Sequence, residues 1–112
     1  MLDYIDFTGL QMKPLLINLI HQTILPLNEN TMNITPGDTF GISFDNIPFT
    51  NYLIVVTSVS FTNFNNLNNK DMFENGFIYK PSFVSFMRNF RSIEADTSIV
   101  KIDFELVECE EV

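Results

Sequence analysis

The run YLIVVTSVSF, residues 52–61, restricts the possible folds of this chain more than any other stretch. Valine, isoleucine, threonine and aromatic side chains at this density suit a pleated strand. Residues 53–56 are continuously apolar, which predicts a central strand buried on both faces. Such a strand needs partners, and two further runs can supply them. TFGISF, Thr39–Phe44, alternates as a strand and follows the turn signal Pro36-Gly37-Asp38. SIVKIDFELVE, Ser98–Glu108, sets Ile99, Lys101, Asp103 and Glu105 against Val100, Ile102, Phe104 and Leu106. That pattern predicts a half-buried strand with an acidic outer face.

Helical signals flank these strands. In MKPLLINLIHQ, Leu15, Leu16, Leu19 and Ile20 fall at helical spacing, and Pro14 is tolerable in a first turn, so a helix is predicted over residues 11–21. TILPL then reads as a short extended segment, with Pro26 marking an edge or a strand end because proline cannot donate to a ladder. NENTMNI is a polar loop, DNIPFTN a connection, and TNFNNLNN a loop or single helical turn anchored by Phe64 and Leu67. Asn69 is suited to cap a short helix that runs to Asn75, and Gly76 to end it in the left-handed conformation. KPSFVSFMRNF places Phe83, Phe86, Met87 and Phe90 on one helical face, a core stripe. The order helix, three strands, two helices, strand is α+β, and a small closed or partly open barrel protects so few strands best.

A chain of 112 residues, 46% hydrophobic and with 12 phenylalanines, can fill one core, so a single domain is expected. Its net charge of -8 repels phosphate backbones at long range, so any nucleic-acid contact must come from a local patch. Cys109 is the only cysteine and His21 the only histidine, which excludes a disulfide framework and a Cys/His zinc site. Neither a metal nor a cofactor is expected, and four scattered glycines make no phosphate-cradling loop. No run has the length of a membrane span, and MLDYIDFTGL carries acids where a signal peptide has bases. The expectation is an intracellular, cytoplasmic protein with no membrane partner. Frequent asparagine and phenylalanine match the composition of AT-rich genomes, those of many bacteriophages among them.

Few residues have the chemistry of a site. His21, at the end of the predicted first helix, suits the negative end of its dipole. Asp71 and Glu74 suit the start of the short one. Lys80, Arg88 and Arg91 are three of the six basic side chains. Arg88 and Arg91, three apart, are expected to share the outer face of the phenylalanine-rich helix as a phosphate-binding patch. Tyr52 and Tyr79 could stack on a base.

The order of these pieces resembles the ASCH domains, which are PUA-like barrels. The resemblance rests on residues 17–24, Pro36-Gly37-Asp38 opening a strand, VVTSVSFTNFNNLNNKDMFENGF, SFVSFMRNF and VKIDFELVE. It spans about residues 15–108 and leaves an acidic tail, 108–112. It implies a small β-barrel flanked by short helices, with a cleft suited to RNA or a modified nucleoside. Some members of the family remove the acetyl group from acetylated cytidine. Their activity is attributed to a lysine and a threonine in a Gly-x-Lys-Thr-x-Thr-x-Arg-like segment and a glutamate before a Gly-Phe-like position. In an ungapped register Ile20 falls at the glycine, Gln22 at the lysine, Thr23 at the first threonine, Leu25 at the catalytic one and Leu27 at the arginine. Asn75 falls at the glutamate, with Glu74 just before it. Gln22 cannot act as a base near neutral pH and Leu25 has no hydroxyl, so the catalytic set is lost in this register. A slip of one residue leaves His21 and Glu74 as an acid-base pair.

Three functions of different class follow. The first is a catalytically degenerate ASCH-like domain that binds RNA or a nucleoside between the first helix, residues 67–77 and the basic helix. Its ligand-binding residues are then His21, Gln22, Thr23, Glu74, Asn75, Lys80, Arg88 and Arg91. The second is a small acidic phage-type protein that binds a basic host protein, a nucleic-acid enzyme or defence factor, and inhibits it. Asp103, Glu105, Glu108, Glu110 and Glu111 would form its acidic face. An acetylcytidine-type amidohydrolase with a rearranged site is the third reading.

Overall fold

The computed structural model describes residues 3–109. Its strands are β1 (Tyr4–Phe7), β2 (Gln22–Pro26), β3 (Thr39–Phe44), β4 (Ile47–Asn63) and β5 (Ser98–Glu108). Its helices are α1 (Met12–Leu16), α2 (Asn69–Glu74) and α3 (Lys80–Arg91), with 3-10 turns at Gly9–Gln11 and Phe64–Asn66. One five-stranded mixed sheet, in the order β1-β3-β4-β5-β2, curls into a half-barrel, so the fold class is α+β. Only β1 and β3 run parallel.

β4 is the middle strand, as its composition predicts, but it is not buried on both faces. Ile54 and Val56 are buried, whereas Leu53 is 39% exposed. The reason is that the helices cover only part of the outer face of the sheet. DNIPFTN is not a connection either. Asp45 and Asn46, both at positive φ (50° and 66°), form a two-residue hairpin turn, and β4 starts at Ile47 opposite Phe44. β1 is an addition to the strands expected. Its four residues stay in place because Ile5 and Phe7 are each 1% exposed, a burial worth roughly 1.5–3 kcal/mol per side chain. Asp6 Oδ1 ties the strand down further by accepting from Ser43 Oγ (2.6 Å) and Asn46 N (2.9 Å).

The first helix is shorter than residues 11–21. It stops at Leu16, and Asn18 is left-handed (φ 62°). Leu19 then points outward while Ile20 turns into the core. His21 therefore does not cap the first helix. It is exposed in the segment that leads into β2, where its N-H donates to Glu74 O (2.8 Å). β2 is an edge strand that ends at Pro26, as predicted.

Two apolar clusters fill the molecule. One occupies the concave side of the sheet and includes Phe7, Leu25, Ile54, Ile102 and Phe104. The other joins α2 and α3 to the outer side through Ile24, Phe64, Met72, Phe83, Met87 and Ile99. Phe83 and Met87 of the predicted stripe are buried, and Phe77, Phe83, Phe86 and Phe90 form a chain of rings 5.1–5.4 Å apart. Among the described residues no helix is long and apolar enough to cross a membrane.

Candidate functional site: a polar knot beneath α2 and a basic-rimmed pocket beside it

Antiparallel pairing of β2 with β5 sets Gln22 opposite Asp103, and pairing of β5 with β4 sets Asp103 opposite Ser58. The β4–β5 register shifts between Val56 and Ser58. This irregularity, a device that re-aims side chains, leaves Ser58 Oγ donating to Asp103 Oδ2 (2.6 Å). Lys101, two residues along β5, shares the face of Asp103.

α2 covers this row. Asn68 caps it, accepting from Asp71 N (3.0 Å), and Asp71 Oδ2 accepts from Asn68 N (3.1 Å) in a capping box. Asp71 and Asn75, four apart, occupy the same face. Gln22 Nε2 donates to Asp103 Oδ1 (2.9 Å) and to Asp71 Oδ1 (3.3 Å). Asn75 Nδ2 donates to Gln22 Oε1 (2.8 Å) and to Asp71 O (2.7 Å). Lys101 Nζ completes the knot by pairing with Asp71 Oδ1 at 3.0 Å. Gln22, Asn75 and Asp71 are 3%, 4% and 7% exposed, so the amide donors of the first two and the acceptor oxygens of the third are spent inside the protein.

Burial raises the Asp71 carboxyl pKa. Hydrogen bonds from Asn68, Lys101 and Gln22, together with the charge of Lys101, outweigh that effect and hold it below its ordinary value. Asp71 is therefore an anion near neutral pH and a poor proton acceptor, and the two amides cannot exchange protons there.

The residues named from the sequence divide into separate places. Gln22 and Asn75 meet directly, and Glu74 meets His21 only through its backbone. Thr23 and Leu25 lie on the other face of β2, 3% and 6% exposed. Arg88 and Arg91 do not share an outer patch. Arg88 is exposed and pairs with Glu94 (3.2 Å), whereas Arg91 turns inward at the end of α3. Arg91 Nη2 donates to Thr23 Oγ1 (3.3 Å) and the guanidinium lies against the Phe7 and Phe90 rings. Burial lowers its pKa to about 10, with nearby Asp6 raising it. Tyr52 stacks on Phe49 at 5.9 Å inside β4, while Tyr79 is 63% exposed at the start of α3. Glu105 and Glu108 are exposed, Asp103 is committed to the knot, and Glu110 and Glu111 lie outside the described residues.

Asp71 does more than complement a helix dipole, and Ser58, Lys101 and Asp103 join it unforeseen. Alternation placed Lys101 and Asp103 on one face, but only the β2–β5 register brings Gln22 to them. Asn65, Asn68 and Asn69 line a pocket of about 240 Å³ between the 3-10 turn, α2 and α3. Phe64, Leu67, Met72, Phe83 and Val84 are among its apolar walls, Lys80 and Arg88 are its basic residues, and Glu94, the ion-pair partner of Arg88, lines it too.

No family model matches the chain, and no curated protein sequence matches it. Solved structures do. The fold is similar to protein EF3133 from Enterococcus faecalis V583, of family-model DUF984, with a TM-score of 0.72, 16% identity and coverage of 100% of this chain and 84% of that one. It is similar to an ASCH domain from Lactobacillus crispatus JV V101 with a TM-score of 0.72, 15% identity and coverage of 96% and 81%. It is also similar to the hypothetical protein PH0355, with a TM-score of 0.70, 16% identity and coverage of 96% and 100%. At such identities the likeness is one of fold, and the fold of this chain is that of the ASCH, PUA-like domains.

Proposed function

We propose that this chain is a small binding domain for RNA or a nucleoside, without amide hydrolysis, and that a base enters the pocket between α2 and α3. The observation that carries this reading is the pocket itself. Apolar walls from Phe64, Leu67, Met72 and Phe83 suit a planar ring, the amides of Asn65, Asn68 and Asn69 can bond its edge, and Lys80 suits a phosphate, Arg88 being paired with Glu94 at the same rim. A volume of about 240 Å³ suits one ring system and leaves the rest of a nucleotide outside. Gln22 and Asn75 argue against hydrolysis, since neither can serve as a base and each spends its amide donors on neighbours. Their contact also favours the ungapped register over one that uses His21 and Glu74.

Titration of the full chain with cytidine, acetylcytidine and a short single-stranded RNA, followed by amide chemical shifts, tests the proposal. Saturable binding is expected to weaken at least tenfold in Val84→Trp, which fills the pocket, and to lose salt dependence in Lys80→Ala. Binding indifferent to both variants overturns the assignment of the pocket. Acetate released from acetylcytidine above a Glu74→Gln control overturns the absence of hydrolysis.

A second reading has its own observation: Asp3, Glu29 and Asp38 line a separate depression of about 570 Å³. That surface suits a basic host protein. A single basic protein retained stoichiometrically from nuclease-treated lysate, with no bound RNA from untreated lysate, would replace the first reading by the second.

A further inference from the structure

Arg91 is spent on neither pocket nor knot. It is the last residue of α3, and Ser92 after it is left-handed (φ 57°), so the helix ends over the open seam of the half-barrel. The seam lies between the sheet's two edge strands, β1 and β2. Arg91 spans it, its Cζ 5.8 Å from the Phe7 ring of β1 and its Nη2 3.3 Å from the Thr23 hydroxyl of β2.

This cation is incompletely satisfied. Nε is the one buried side-chain nitrogen or oxygen without a hydrogen-bond partner among the described residues. No carboxylate pairs with the guanidinium, for the two ion pairs among the described residues are Arg88–Glu94 and Lys101–Asp71. Asp6 is close enough to be felt, but its Oδ1 already accepts from Ser43 and Asn46. Thr23 Oγ1 accepts from Arg91, which leaves its own proton to give. Burying an arginine with an unspent donor costs free energy that an anion can recover.

An open depression lies next to this buried cation. A groove of about 750 Å³ runs between α3 and the end of β1, and its lining includes Thr8, Phe86, Asn89 and Phe90. Thr8 follows Phe7 directly, and the Phe90 ring lies 4.7 Å from the Arg91 guanidinium. Phe90 thus stands between this depression and the Arg91 guanidinium.

We propose that the seam between β1 and β2 is an oxyanion-binding site, in which Arg91 and Thr23 donate to the phosphate or carboxylate group of a small ligand whose apolar body lies along Phe86 and Phe90. Nε is closed to solvent, so entry requires the Phe90 ring or the Arg91 side chain to shift. The guanidinium fork supplies the geometry an oxyanion needs, and the enclosed position keeps the attraction from being screened. The site is independent of the nucleoside pocket.

The chain has two arginines, so its Nε-H resonances report on Arg88 and Arg91 alone. The test is a titration of the nitrogen-15-labelled full chain with inorganic phosphate, with acetate, and with sodium chloride as an ionic-strength control. The Arg91 signal is expected to move along a saturating curve with phosphate, with acetate or with both, the tighter of the two naming the source, while sodium chloride gives no saturation. Thr23→Val is expected to weaken that binding about three- to tenfold, and Arg91→Lys, followed through the Thr23 backbone amide resonance, to abolish saturation although the charge is kept. An Arg91 signal that does not saturate with either oxyanion, or that responds equally to chloride, overturns the proposal. The wild-type titration decides this even if a variant fails to fold. Val84→Trp should leave the titration unchanged, which separates failure here from failure of the base pocket.

Discussion

At the scale of single residues, Gln22 ties three elements together. Its amide gives two bonds and takes one, linking β2 to β5 and to α2. Gln22→Leu keeps the approximate shape but removes a partner from Asp71, Asp103 and Asn75 at once. Leaving buried polar groups unpaired is expected to lower stability by about 2–3 kcal/mol in urea unfolding. Asp71 adds a pH dependence. Its native pKa lies below the ordinary value of 3.8, so its contribution is fully present above the unfolded-state value. The contribution is lost as pH falls through the lower native value. Urea midpoints measured from neutral to strongly acidic pH should therefore fall less steeply in Asp71→Asn than in the wild type. An unchanged slope would mean that Asp71 carries no linkage.

At the scale of elements, α2 is held in place at both ends. Asn68 and Asp71 close its start, and Gly76 (φ 87°) turns the chain away at its end. A Cβ on Gly76 would also lie 2.9 Å from Ile20 Cγ1, so Gly76→Ala meets both an unfavourable φ and a close contact. A loss of about 1–3 kcal/mol is expected in thermal or urea unfolding. Amide exchange should show the excess opening in α2 and in the segment before β2, which pair through His21 N and Glu74 O. The punctuation of this helix could be read from the sequence to within one residue, because capping is local chemistry. The length of α1 could not. Leu19 and Ile20 fit a helical face, but only the packing of Ile20 beside Gly76 shows that the chain leaves the helix before them.

At the scale of the whole molecule, the sheet is assembled from contacts distant in sequence: β2 pairs with β5, and β1 lies parallel to β3. Removing residues 1–7 takes Ile5 and Phe7 from the concave core and uncovers the edge of β3. The shortened chain is expected to lose roughly 3–6 kcal/mol, the burial of two large side chains. Urea unfolding at matched concentration checks this, and an unchanged midpoint would show β1 to be dispensable. Legible along the chain alone were the strand at Thr39–Phe44, a strand over residues 52–61, the alternation of β5, the ends of α2 to within one residue and the apolar face of α3. Each depends on periodicity or turn chemistry within about ten residues. Tertiary structure alone decided that β1 is a strand, that Gln22 meets Asp71 and Asp103, and that Arg91 faces inward across the seam while Arg88 faces solvent. Those outcomes depend on which surfaces meet across the curled sheet, and side-chain pattern along one segment carries no record of its partner.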